Sequence, residues 1–131
     1  MKIKSILGAA LAAALIVACA GVPKVIPADL SARELVQKAQ ESTDAYKYSA
    51  AIAYYGALQE RFGSDPLFKA TADYEIAFIA YKQGHYAQAK EGFEALIARY
   101  EGPDAASLPP RFAVLSRKML ASIADRTKSK K

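Results

Sequence analysis

The sequence predicts an all-α domain made of two antiparallel helical hairpins followed by a C-terminal capping helix. Alanine is spread over the whole body of the chain, where the 22 alanines that follow residue 18 favour helix. No segment alternates polar and apolar residues over several β-branched positions, so we expect no sheet. The 131 residues suffice for one domain, and 53% hydrophobic with 24% charged residues is typical of a globular chain.

An apolar segment at the start of the chain predicts an export signal over residues 1–18. Lys2 and Lys4 precede an apolar run, 6–18, which is short for a membrane span and typical of a cleaved secretory signal. The only cysteine, Cys19, directly follows this run. Because exported proteins rarely keep a single unpaired thiol without a reason, the position of Cys19 is informative.

The residues that end at Cys19, Ile-Val-Ala-Cys, resemble the lipobox of bacterial lipoproteins. The resemblance implies cleavage between Ala18 and Cys19, a diacylglycerol on the Cys19 thiol and an acyl chain on the new amino group. Several acyl chains hold a small domain at a bilayer almost permanently. Ala20, by the sorting rule of enterobacterial lipoproteins, implies anchorage in the outer membrane, and we expect the periplasmic face. Ordinary secretion with cleavage after Ala20 and a retained membrane anchor are the alternatives.

The rest of the chain divides at its helix-start and helix-stop signals. Pro23 and Pro27 and the lack of a helical period predict a lipidated tether over residues 19–30, ahead of a domain at 31–125. Ser31 and Glu34 form a capping box that opens the first helix, which we expect to end near residue 45. The later helices are predicted at 48–62, from Asp65-Pro66 to Gly84, at 86–100, and from Pro110 to about Asp125, before a basic tail at 126–131.

Helices two and four match each other at a constant offset of 38 residues. The matching residues are Tyr48, Ala51, Tyr55, Leu58, Arg61 and Phe62 in helix two and Tyr86, Ala89, Phe93, Leu96, Arg99 and Tyr100 in helix four. With Ala77 and Gly84 before it, the second copy resembles the tetratricopeptide repeat, and Ala39 matches Ala77 in the first copy. The resemblance implies stacked helical hairpins with a concave, protein-binding surface.

The lipobox, the tether and the repeats together resemble the BamD-type lipoproteins of the outer-membrane β-barrel assembly machinery, most closely over residues 80–100. The resemblance implies a lipid-anchored scaffold of the cell envelope, without enzymatic activity, that binds an envelope protein during outer-membrane protein assembly or envelope biogenesis. A peptidoglycan-linked or division-linked coordinator is the alternative, and an enzyme of cell-wall turnover is a third, less favoured hypothesis.

Candidate partner-binding residues follow from the resemblance, because the first helix of each hairpin lines the concave surface of this fold. They are Tyr74, Phe78, Tyr81 and Lys82 in the third helix and Arg33 and Gln40 in the first. An aromatic strip with a polar rim suits a helix or an extended peptide. Alternatively, Phe78 and Tyr81 pack against the fifth helix, whose predicted apolar stripe is Phe112, Leu115, Met119 and Ile123.

Little in the sequence points to catalysis or metal binding. His85 is the only histidine, and together with Cys19 it supplies too few ligands for zinc. The net charge of +5 owes much to the chain ends, since Arg126, Lys128, Lys130 and Lys131 are C-terminal. We therefore expect no enzyme, no nucleic-acid partner, no metal, and no cofactor besides the lipid on Cys19. The basic tail favours solubility or contact with anionic lipid or peptidoglycan, and the sequence does not indicate the oligomeric state.

Overall fold

The computed structural model describes residues 21–130, and this part of the chain is all-helical without any strand. Its five α-helices are α1 (Ala32–Asp44), α2 (Tyr48–Phe62), α3 (Pro66–Lys82), α4 (Tyr86–Arg99) and α5 (Pro110–Lys128). A short 3-10 turn, Ala105–Ser107, lies between α4 and α5. The all-α prediction is confirmed. The predicted signal peptide, its cleavage site at Ala18, the lipid-attachment residue Cys19 and the last residue, Lys131, lie outside the described residues.

The helices begin where the capping residues predict. The Ser31 hydroxyl accepts a hydrogen bond from the Glu34 backbone N–H, and the Ser31 N–H donates to the Glu34 carboxylate at 2.8 Å. This completes the predicted capping box. Asp65 caps α3 through the Leu67 N–H, and Pro66 occupies the first helical position, where its missing N–H costs nothing.

The turns that join α1 to α2 and α3 to α4 have the same backbone geometry. Each contains one residue with a left-handed backbone, Tyr46 with φ of 58° in the first turn and Gly84 with φ of 79° in the second. These two residues are 38 positions apart, which is the offset of the sequence repeat. Each connection has only three residues, so α2 runs back along α1 and α4 along α3.

The hydrogen bonds of the two turns also correspond. The Lys47 N–H donates to the Ser42 carbonyl at 2.8 Å, and the His85 N–H donates to the Ala80 carbonyl at 2.9 Å. Both bonds close a helix end in the way that a left-handed residue permits. His85 therefore lies in the turn, directly before the first residue of α4. The correspondence between the two copies includes their backbone conformation as well as their side chains.

Two apolar clusters form the core, and α3 contributes to both. One cluster joins α1, α2 and α3, and its fully buried side chains include Leu35, Tyr55, Leu58 and Ile79. The other joins α3, α4 and α5 around Phe93 and Leu96. Since each helix packs on its neighbours in sequence, the molecule is a linear array rather than a closed bundle.

The C-terminal half of the predicted tether packs against the domain. Ile26 and Leu30 pack against the first cluster. The Arg61 guanidinium donates to the backbone carbonyls of Pro27 at 2.6 Å and Ile26 at 3.0 Å. These contacts fix the side of the domain at which the chain enters α1.

Helix α5 packs against α4 and α3 but differs in two ways from the sequence expectation. It continues to Lys128 rather than ending near Asp125, and Arg126 donates to the Tyr81 hydroxyl of α3 at 2.7 Å. The predicted stripe is wrong at one residue, since Leu115 is 36% exposed while its neighbour Ser116 is fully buried. The angle at which α5 crosses α3 and α4 sets this register, and periodicity alone does not specify it.

Candidate functional site

A groove runs along the side of the array formed by α1, α3 and α5. Its main cavity measures about 390 Å³. Residues from all three helices line it: Arg33, Val36 and Gln40 of α1, Leu67, Phe68, Thr71, Tyr74 and Glu75 of α3, and Arg111, Phe112 and Leu115 of α5. Since the wall is largely apolar and open to solvent, it offers a surface for a peptide segment.

Tyr74 forms the floor of the groove and is held rigidly by other aromatic rings. Its ring centroid lies 5.5 Å from those of Phe93 and Phe112, and it stacks on Phe78 at 6.1 Å. These contacts come from α4, α5 and α3 respectively. The floor is therefore a preformed aromatic surface, so the protein loses little conformational entropy when a ligand binds there.

The end of the groove at the N-termini of α1, α3 and α5 is basic. Arg33 and Arg111 are each the second residue of their helix, and neither has a carboxylate partner among the described residues. The Arg111 guanidinium lies 4.6 Å from the Phe112 ring centroid. Helix N-termini add positive potential, so this end favours an acidic group.

The opposite end of the groove opens into a smaller cavity of about 250 Å³. Gln40 and Glu75 line both cavities, and the remaining wall consists of Thr43, Asp44, Tyr55, Phe78 and Lys82. We call this smaller cavity the acidic pocket, because Glu75 and Asp44 outnumber its one cation, Lys82. The Lys82 ammonium lies 5.5 Å from the Phe78 ring centroid, which is the range of a cation–π contact.

Burial perturbs two groups in the acidic pocket. It raises the pKa of the Glu75 carboxyl above its ordinary value, and the nearby Asp44 acts in the same direction while Lys82 opposes it. Burial also raises the pKa of the Tyr55 hydroxyl, with Glu75 and Asp44 adding to the effect. Both groups are therefore held where the charged form is poorly solvated.

The predicted partner-binding residues separate into two places. Arg33, Gln40 and Tyr74 line the main cavity, and Phe78 and Lys82 join Gln40 at the acidic pocket. Tyr81 lies at neither cavity.

The Tyr81 hydroxyl shares a hydrogen bond with Ser122 of α5 at 2.9 Å and accepts one from Arg126. The Ser122 hydrogen bond, with a further contribution from Arg126, lowers the pKa of Tyr81. This residue thus joins α3 to α5, as the alternative interpretation of the sequence had it for Tyr81.

The groove residues that sequence reasoning missed include Tyr55, Glu75, Arg111 and Leu115. Tyr55 fits the apolar stripe of α2, and periodicity does not show where its hydroxyl points. Arg111 directly follows the helix-opening Pro110, and this position at a helix N-terminus was an available signal.

A third cavity, of about 440 Å³, lies between α2, α3 and α4, and four of its polar side chains, those of Gln59, Lys69, Asp73 and Arg99, form one network. Asp73 accepts hydrogen bonds from Gln59 at 2.6 Å, Arg99 at 3.0 Å and Lys69 at 3.2 Å. Arg99 also binds Asp104 at 2.7 Å, and this hydrogen bond lowers the pKa of Asp104. The network ties three helices to the 101–109 loop and has a structural role.

Two further observations concern residues 21–130. Within this range, no group of three or more His, Cys, Asp or Glu side chains is placed to hold a metal ion. None of the helices described here is both long enough and apolar enough to cross a membrane.

Comparison with known proteins finds a relative but does not show a family. No family model matches the chain, and no solved structure matches it. A protein of Treponema pallidum (strain Nichols), described as an uncharacterized protein, is 31% identical over 101 residues. The match covers 76% of this chain and 40% of the relative, so the chain spans less than half of that protein's length.

Proposed function

We propose that the chain is a lipid-anchored scaffold of the cell envelope, without enzymatic activity, that binds a segment of another envelope protein in the α1/α3/α5 groove. Outer-membrane protein assembly or envelope biogenesis is the process that we assign to it. The observation that carries the proposal is the groove itself. It combines a rigid aromatic floor, exposed apolar walls at Leu67 and Leu115, and charged ends.

The repeat supports a tetratricopeptide-like arrangement of two hairpins and a capping helix. The turns match in backbone geometry, and the repeated core residues are buried alike, with Ala51, Tyr55, Ala89 and Phe93 all at 0% exposure. Placing α1, α3 and α5 side by side on one face follows from such a stack. In this proposal the groove is the concave face, and its occupant is an amphipathic helix or an extended peptide.

The lipid anchor at Cys19 supplies the mechanism of the scaffold. Acyl chains would confine the domain to the membrane surface and raise its effective concentration near membrane proteins. Arg61 holds the backbone of Ile26 and Pro27, so only a few residues separate Cys19 from a fixed point on the domain. The short link limits how far the groove can move from the bilayer.

A photo-crosslinking experiment in intact cells tests the proposal. A photoreactive phenylalanine analogue at Leu115 faces the groove, while the same analogue at the neighbouring Val114 is exposed but lies outside the cavity lining. We expect one envelope protein to be trapped from Leu115, and again from Thr71 across the groove, but not from Val114. Equal trapping from both adjacent positions, or none from the groove, would contradict the proposal.

Membrane fractionation tests the anchor separately. We expect Cys19→Ser to leave the helical domain folded and to release or mislocalise the protein. An unchanged membrane fraction would count against lipid attachment at this residue, whatever the outcome of the crosslinking.

A peptidoglycan-linked role is the second candidate, and the basic end of α5 favours it. Arg126 and Lys130 lie over the rings of Tyr81 and Tyr86, at 5.4 Å and 5.8 Å from the centroids. Cationic groups beside aromatic rings suit an anionic polymer. Retention on isolated cell wall that is lost in the Lys128→Ser/Lys130→Ser variant would favour this role, and retention that the variant leaves unchanged would exclude the basic end as its cause.

A further inference from the structure

The acidic pocket contains two polar groups that have no partner in the described part of the chain. The Tyr55 side chain is 0% exposed, and its hydroxyl, in the wall of the pocket, makes no hydrogen bond with any described residue. The Glu75 carboxylate likewise makes no hydrogen bond or ion pair with residues 21–130. Buried polar groups are normally paired, so the Tyr55 hydroxyl is an unsatisfied group. The Glu75 carboxylate in the same wall is partly exposed and is open to a ligand.

The second copy of the repeat shows that the Tyr55 hydroxyl is not needed for packing. The equivalent residue in α4 is Phe93, which is buried to the same extent and has no hydroxyl. The carboxylate of Glu75 is likewise not general to the repeat, since Gln37 stands 38 residues earlier. The pocket therefore holds polar groups that the fold of this repeat does without.

The charge of the pocket selects a cation. Glu75 and Asp44 contribute two carboxylates against the single ammonium of Lys82, and both α1 and α3 end there, which adds the negative end of two helix dipoles. The Phe78 ring already accepts the Lys82 ammonium on its face. A guanidinium or ammonium would find a carboxylate, a hydroxyl oxygen and the Gln40 side-chain oxygen within the same wall.

We propose that the acidic pocket receives a lysine or arginine side chain of the segment bound in the groove, which completes the hydrogen bonding of Tyr55 and Glu75. The inference rests on the proposed function and deepens it by naming the chemistry of the ligand. Arg33 and Arg111 lie at the opposite end of the groove, so the bound segment has a fixed direction. Its basic residue lies at the C-terminal ends of α1 and α3, and its acidic or carboxylate end lies at their N-terminal ends.

A peptide selection tests the inference with the full chain in detergent micelles. Random peptides are selected for binding to the wild-type chain, and the dissociation constants of the selected peptides are then measured by fluorescence anisotropy. We expect selected peptides to carry a lysine or arginine, and we expect Leu115→Asp, in the groove wall, to abolish their binding. Val114→Asp is the matched control and leaves their binding unchanged.

A double-mutant cycle isolates the pocket. Glu75→Gln should weaken the binding of a basic peptide about tenfold, in line with the loss of a charge-assisted hydrogen bond. The same variant should weaken the binding of that peptide by less than about threefold when norleucine replaces its basic residue. Tyr55→Phe should act in the same direction to a smaller extent. Glu60→Gln, an exposed change on α2 outside the main cavity and the acidic pocket, is the control. Circular dichroism of each variant verifies folding.

The outcomes separate the inference from the proposed function. Two outcomes would overturn the inference about the acidic pocket and leave the groove proposal intact. In one, the selected peptides depend on Leu115 but show no preference for a basic residue. In the other, Glu75→Gln weakens the binding of a peptide equally with and without its basic residue. If no selected peptide is sensitive to Leu115→Asp, the groove proposal fails and the pocket fails with it.

Discussion

The α1–α2 pair and the α3–α4 pair have the same turn geometry and equivalent buried core positions, but their equivalent polar residues bind different partners. Arg61 and Arg99 are 38 positions apart and both lie in the last turn of a helix. Arg61 binds the backbone carbonyls of the entering chain, whereas Arg99 binds the carboxylates of Asp73 and Asp104. The apolar repeat thus determines how the helices stack, and the polar residues adapt each copy to what lies beside it.

The same contrast holds in the acidic pocket, where the two copies meet. Tyr55 comes from the first copy and Glu75 from the second, and their counterparts, Phe93 and Gln37, lack the hydroxyl and the charge. Two changes, Tyr55→Phe and Glu75→Gln, would each make one copy resemble the other. Two of the differences between the copies therefore lie at the surface that we propose binds a partner.

The largest expected effect tests whether the two cores are equivalent. Leu58 and Leu96 occupy matching positions at 0% and 1% exposure. Because each loses a fully buried side chain, Leu58→Ala and Leu96→Ala should each lower the unfolding free energy by about 2–5 kcal/mol. Chemical denaturation measures both, with Leu67→Ala at a 38% exposed site as a milder control. A twofold difference between the two losses would show that the copies are unequal in packing.

This equivalence was accessible from sequence because it rests on periodicity and caps. The capping box at Ser31, the Asp65-Pro66 start and the left-handed position at Gly84 are local signals, and the helix ends they predicted lie within about three residues of those observed. The end of α5 was less well predicted, because its last turn depends on a tertiary contact between Arg126 and Tyr81.

The site was only partly predictable, since it depends on where side chains of different helices meet. Tyr74 and Phe78 were identified because the resemblance to the tetratricopeptide repeat implies that the third helix lines the concave surface. Tyr81 lies three residues after Phe78, yet it contacts α5, since Ser122 and Arg126 provide polar partners there. The roles of Tyr55 and Glu75 require knowing which hydroxyl and which carboxylate lack a partner, and a single sequence does not contain that information.

The second prediction concerns how closely the paired helices approach. A Cβ built at Gly92 of α4 would lie 2.8 Å from the Ala77 Cβ of α3, while one built at Gly56 of α2 meets nothing within 4 Å. Gly92→Ala should therefore lower the free energy of unfolding by about 1–3 kcal/mol, as overpacking does. Gly56→Ala should raise the free energy of unfolding by up to about 1 kcal/mol, because alanine has a higher helix propensity than glycine.

Thermal unfolding of the two alanine variants checks this asymmetry. The position equivalent to Gly92 in the first copy is Tyr54, which already has a Cβ. Stabilisation by Gly92→Ala would mean that α3 and α4 separate easily, and that the close approach is not a distinguishing feature of the second copy.

The third prediction concerns substitutions at the two left-handed turn positions. Tyr46 holds a left-handed backbone that costs a non-glycine residue about 1–2 kcal/mol, whereas glycine adopts it without strain. Tyr46→Gly should raise the unfolding free energy by up to about 1 kcal/mol, because the greater freedom of glycine in the unfolded chain offsets part of the gain. Gly84→Ala should lower it by about 1 kcal/mol.

Thermal melts of both variants provide the measurement. Tyr46 is 76% exposed and makes one edge-on ring contact, at 6.2 Å, with Tyr48. If Tyr46→Gly is instead destabilising, that aromatic contact contributes more than the backbone strain removes, and the two turns are alike in geometry but not in energy.

The smallest expected effect is the pH dependence of Glu75→Gln. Burial raises the pKa of Glu75 in the folded state above the ordinary value of 4.5, so folding becomes less favourable as pH rises from that value through the raised pKa. Glu75→Gln should therefore melt at a higher temperature than the wild type at pH 7. The difference should vanish in acid well below the ordinary pKa, where the carboxyl is protonated in both the folded and the unfolded chain.

Glu34→Gln is the control of opposite sign. The Ser31 hydrogen bond lowers the pKa of Glu34, so its carboxylate stabilises the folded chain above its ordinary pKa and loses this effect as pH falls. We expect Glu34→Gln to melt lower than the wild type at pH 7 and to approach it in acid. If Glu75→Gln behaves like Glu34→Gln, the Glu75 carboxylate already has a favourable partner in the free protein. The acidic pocket would then be satisfied without a ligand, and the two repeat copies would differ there for a structural reason.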